Sequence, residues 1–126
     1  SVKRTKEQEL RRALREIRTA IDAHKRAWDE GRIERKAGQS GYPPRIELLV
    51  AGVEDVRDPK KAKIYFLRRV PRDPFFEGDA GTPAADTWGR RSYESPPDRP
   101  QEGEDVFDVF SRAEQRAIDG SHYRDW

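Results

Sequence analysis

The chain has 126 residues, 40% charged and 33% hydrophobic, with a mean hydropathy of −1.11 and a net charge of only +2. That length predicts a single domain, 1–126, with a small core; the absence of cysteine excludes disulfides and thiolate metal sites. No run is long and apolar enough to span a bilayer, and none reads as a signal peptide.

The charge is segregated. Residues 1–36 carry 12 Lys/Arg against 7 Asp/Glu, and residues 37–126 carry 14 against 17. Glu7, Glu9, Glu16 and Asp22 interrupt the cations, which favours a solvated helix over a groove reader of nucleic acid. A basic helical nucleic-acid-binding module is the alternative from a different class.

Leu10, Leu14, Ile17, Ile21, His24 and Trp28 recur at helical spacing, widened by Ala13, Ala20 and Ala27. This predicts one long helix over residues 5–31, stopped near Gly31, with Glu7–Arg11 and Asp22–Arg26 as supporting i,i+4 pairs. Because the pattern begins almost at Ser1, the chain is read as cut from a longer protein. Residues 32–63 form a variable region. Within it Pro44 opens a short second helix through Ile46, Leu48, Leu49 and Val50, closed near Gly52. Residues 64–126 form the β-region and C-terminal loop. Strands are expected over 64–70, 88–94 and 105–110, with Pro71 closing the first and an irregular tail over 113–126. The fold class is α+β: one long N-terminal helix packed on a small antiparallel sheet of two to three strands, with a short second helix and long loops.

Catalytic signals are lacking. His24 and His122 are far apart in sequence, His24 lies on the apolar stripe, and no nucleophile, phosphate-loop or metalloprotease motif is present. No enzyme activity, catalytic residue or cofactor-binding residue is expected. Asp105, Asp108, Asp119 and Asp125, with Ser111, bring hard oxygens to the end of the chain; they read first as solvated loop carboxylates and second as calcium ligands.

The central run 65–74, YFLRRVPRDP, is followed by WGRRSY at 88–93 and DVFDVFS at 105–111. In this order, behind a basic amphipathic helix and Tyr42-Pro43, the segments resemble the major, G-type pseudopilins of type II secretion and their type IV pilin-like relatives. In that family a Y-[IL]-R-R-[ILV]-P-x-D-P element precedes a D-[IV]-[FY]-S strand. Tyr65, Leu67, Arg68, Arg69, Val70, Pro71, Asp73 and Pro74 match the first, with Phe66 inserted. Asp108, Val109, Phe110 and Ser111 match the second. The likeness covers nearly the whole chain.

The resemblance implies a pilin-like domain whose helix continues a hydrophobic segment that would precede Ser1. It implies prepilin cleavage and N-methylation, and assembly into a helical periplasmic filament that helps drive protein export. Implied partners are further copies of the chain, minor pseudopilins and secretion components, with no nucleic acid; the domain would sit at the periplasmic face of the bacterial inner membrane. A type IV pilin or minor pilin is the alternative within the class. Arg11, Arg15 and Arg18 are expected to meet acidic residues of a neighbour's head. Calcium-binding members follow the serine with Leu-Gly-x-Asp-Gly and carry adjacent aspartates before the final Trp. Here Ser111 is followed by RAEQR, and Asp125 stands singly before Trp126. No cofactor is therefore expected, and a calcium site would have to draw on Ser111, Asp119 and Asp125.

Overall fold

The computed structural model describes residues 1–126. Helix α1 spans Val2–Asp29, about 42 Å at 1.5 Å per residue. It starts earlier than its apolar stripe because the Ser1 side chain accepts the Arg4 amide, a capping bond. Its end is a glycine cap: Gly31 takes a φ of 73°, its N–H reaches the Trp28 carbonyl, and the Arg32 N–H reaches that of Ala27. The predicted stripe faces inward, with Leu10, Leu14, Ile17, Ile21 and His24 all buried. The Glu7–Arg11 and Asp22–Arg26 pairs do not form; the ion pair along α1 is Lys25–Asp29, at 2.6 Å.

After α1 the chain turns back across the helix end. Gly41, at φ 97°, crosses so close to Trp28 that an added Cβ would lie 2.6 Å from the indole, so only glycine fits there. Helix α2, Leu48–Ala51, is a single turn buried through Leu49. It is shorter than the helix expected from Pro44 onward. Strand β1 (Val53–Glu54) pairs antiparallel with β2 (Lys63–Ile64). The strand expected over 64–70 is confined to this short ladder. Beyond it, the amides of Phe66 and Leu67 both turn to the Leu49 carbonyl within α2, which ends strand pairing.

Strand β3 (Trp88–Arg91) pairs antiparallel with β4 (Asp108–Ser111), with Trp88 opposite Ser111 and Gly89 opposite Phe110. The last strand starts later than its apolar pattern because the amide of Val106 is taken by Pro43 and that of Phe107 by Arg91. The fold is α+β as expected, but its strands form two separate two-stranded sheets. The core lies between α1 and β4, filled by Leu10, Leu14, Ile17, Phe75, Trp88, Val109 and Tyr123. No helix is long and apolar enough to cross a membrane.

Candidate interaction surface

The central run is a joint between elements. Phe66, Leu67 and Val70 pack against the core, and Tyr65 is 65% exposed. The Pro71 carbonyl accepts from the indole Nε1 of Trp88 at 2.8 Å. Asp73 is 1% exposed. Its carboxylate accepts from the Ser111 hydroxyl at 2.7 Å and from the Phe75 amide at 2.9 Å, while its own N–H donates to Thr87 Oγ1. Burial pushes the Asp73 carboxyl above its ordinary pKa, against the opposing pull of these donors. The three segments singled out in the sequence, around Asp73, Trp88 and Ser111, thus meet in one buried network.

The C-terminal loop is tied down along α1. Glu7 Oε2 accepts from the Ile118 amide at 2.8 Å and from the Tyr123 hydroxyl at 2.7 Å. Lys3 Nζ donates to the Arg116 carbonyl at 2.6 Å. Tyr123 is fully buried and stacks on Phe75 at 4.2 Å, with Trp126 edge-on to it. Burial, and then the hydrogen bond to Glu7, holds the Tyr123 hydroxyl well above the usual phenol range. The 3-10 turn Tyr123–Asp125 closes the chain onto this site.

The three arginines named from the sequence have different surroundings. Arg18 is used within its own chain: it donates to Asp108 at 2.8 Å, to the Trp126 carbonyl at 2.9 Å and to the Val109 carbonyl at 3.2 Å. Arg11 lies over the Trp126 ring, 3.8 Å from its centroid. Arg15 is exposed and makes no hydrogen bond or ion pair. It stands with Glu16, Arg68 and Arg69 around a groove of about 1020 Å³ between α1 and residues 66–69, floored by Ala20, Ala23, Phe66 and Leu67. Sequence reasoning missed this grouping, although the Arg68-Arg69 pair stood in the motif; only the fold shows that both lie beside Arg15.

The residues named for calcium do not gather into a donor set. Ser111 is fully buried and committed to Asp73. Asp119 is exposed, and its carboxylate accepts the amide and hydroxyl of Ser121, which lower its pKa. Asp125 is exposed in the last turn. Ser111, Asp119 and Asp125 thus do not share one donor set, and no three acidic or imidazole side chains converge in an arrangement that could hold a metal ion.

A second concavity, of about 980 Å³, lies at the C-terminal end of α1 between Trp28, Tyr42 and the loop carrying Tyr93, Glu102 and Glu104. His24 borders it and is buried, its Nδ1 donating to the Gly41 carbonyl at 2.8 Å. Burial holds the His24 pKa below its ordinary value, opposed by that bond, and because a carbonyl can only accept, the bonded Nδ1 carries a proton. The two histidines do not form a joint site: His122 pairs across a bridge with Arg116 near the end of the chain. Comparison with protein-family models, with curated proteins and with solved structures finds no match to this chain.

Proposed function

We propose that this chain is the periplasmic domain of a G-type pseudopilin, a structural subunit of the type II secretion filament with no catalytic role. The observation that carries the reading is the 2.7 Å bond from Ser111 to Asp73. It joins the RRVPRDP run to the DVFS strand, the two segments on which the resemblance rests. An additional support is the long α1, with one face buried and the others charged. A helix of this kind suits a stalk that continues toward a membrane. In this reading the domain faces the periplasm at the inner membrane and assembles with further copies of itself and with minor pseudopilins.

The test is the start of the gene. A hydrophobic leader of the form Gly-Phe-Thr-Leu-x-Glu, shortly upstream of Ser1, is the expected result; a start codon directly before Ser1 overturns the reading. Deletion of the gene then separates the alternatives within the class: loss of exported enzymes supports the secretion filament, whereas loss of motility or adhesion with normal export indicates a type IV or minor pilin. A salt-dependent shift of duplex DNA by the purified chain would instead favour the nucleic-acid reading.

A further inference from the structure

The groove beside Arg15 has the features of a docking site. Arg15, Arg68 and Arg69 are exposed and make no hydrogen bond or ion pair. They outnumber the one carboxylate on the groove's rim, Glu16. The floor of the groove is apolar, with Ala20, Ala23, Phe66 and Leu67 at its surface. An extended segment that is both acidic and apolar would satisfy both halves of it.

The chain itself carries such a segment. Residues 94–105 read ESPPDRPQEGED, with five carboxylates against Arg99 and three prolines. Glu94, Asp98, Glu102 and Glu104 are exposed, and of these only Glu102 has an ion-pair partner, Arg90 at 3.7 Å. The segment is ordered in advance. Ser92 N–H bonds the Gln101 carbonyl, Arg99 N–H bonds that of Pro96, and the Tyr93 amide bonds Asp105. Docking it therefore costs little ordering entropy.

These same bonds hold the segment near the C-terminal end of α1, where it borders Trp28 and Tyr42. The groove lies along the middle of the helix, and the two share no lining residue. The segment is thus held away from the groove of its own molecule. We infer that the groove between α1 and residues 66–69 receives the proline-rich acidic segment 94–105 of a second copy of this chain. The two surfaces differ, so the contact is heterologous and repeats from copy to copy without closing on itself. This deepens the filament reading and rests on its self-assembly.

The chain has no cysteine, so the contact can be tested by paired labelling. Arg69→Cys and Glu102→Cys single variants of the whole chain are mixed at high concentration and treated with a short bis-maleimide. The expected product is the mixed 69–102 dimer, well above the yield from an Ala37→Cys control. Raising the salt from about 0.05 M to 0.5 M should cut that yield several-fold. Arg68→Glu in the first copy should abolish it, and Glu104→Arg in the second should restore part of it. Predominant 69–69 or 102–102 products, a yield equal to the control, or binding of anionic vesicles through Arg68 without the mixed product each overturn the inference. The same pairs placed in assembled filaments separate the two claims: filaments without the 69–102 link discard this contact alone, whereas failure to form filaments discards the filament reading.

Discussion

The Glu7 carboxylate on the second turn of α1 accepts a 2.7 Å hydrogen bond from the hydroxyl of Tyr123, 116 residues further along the chain. The same oxygen takes the Ile118 amide, so one side chain satisfies two donors of the C-terminal loop. Glu7→Ala leaves both without their acceptor, one of them on a fully buried residue. The expected loss is about 1–3 kcal/mol, read by denaturant unfolding. Faster tryptic cleavage after Arg116 and Arg124 should accompany it. Glu7→Gln keeps an acceptor and should lose less.

Charge reversal should divide the helix arginines. Arg18→Glu removes three bonds to Asp108, Val109 and Trp126 and places a carboxylate against Asp108. The melting temperature should fall clearly. Arg15→Glu touches no partner and should change stability by no more than about 0.5 kcal/mol. Equal effects of the two variants would show that Arg18 does not hold the C-terminal loop.

The pH dependence of stability carries opposite contributions from two buried groups. Asp73 has its carboxyl pKa raised by burial, so its protonated form is favoured in the folded state. Its contribution is full below the ordinary carboxylate value and is lost as pH rises through the raised one. His24 has its pKa lowered by burial; its contribution is present above the ordinary histidine value and is lost as pH falls. Unfolding curves should therefore show Asp73→Asn flattening the Asp73 portion of the profile. His24→Gln, which retains a donor for Gly41, should flatten the loss seen as pH falls below the ordinary histidine value. Unchanged profiles in both variants would refute the assignment.

Gly89 in β3 lies under the Phe110 ring of β4, where an added Cβ would come within 2.3 Å of the ring. Gly89→Ala forces the ring or the strand to move, at a cost of about 1–3 kcal/mol. Phe110→Leu in the same chain should recover part of that cost. A double-mutant cycle with no coupling between the two positions would show that the ring relaxes freely.

Calcium removal gives the last expectation. With Ser111 committed to Asp73 and Asp119 to Ser121, melting curves with and without a chelator should coincide. A shift upward with calcium would show that the loop carboxylates rearrange into a site.

The long helix is legible because its stripe repeats over about five turns, from Leu10 to Trp28. The short strands were less so. Ile64, Tyr65 and Phe66 look like a strand by residue type, yet the Leu49 carbonyl takes the amides of Phe66 and Leu67, a long-range bond invisible to local pattern. The strand expected over 105–110 forms instead at Asp108–Ser111, since Pro43 and Arg91 take the amides of Val106 and Phe107. Helix spacing pairs Glu7 with Arg11, but the buried Tyr123 hydroxyl and the Ile118 amide take its carboxylate instead. The Arg68-Arg69 pair was visible as a motif, whereas its position beside Arg15 depends on how residues 66–69 return to α1.

The tie from Lys3 and Glu7 to residues 116–123 also has a meaning in time. A chain emerging from the ribosome delivers α1 well before its clamp. Until Ile118 and Tyr123 have emerged, Lys3 and Glu7 lack these partners, and closing so long a loop is entropically slow. Fixing the Lys3–Glu7 stretch of α1 against the C-terminal loop is therefore a late event in folding, and a chain interrupted before Tyr123 should show a loosened Lys3–Glu7 stretch as well as lack its clamp.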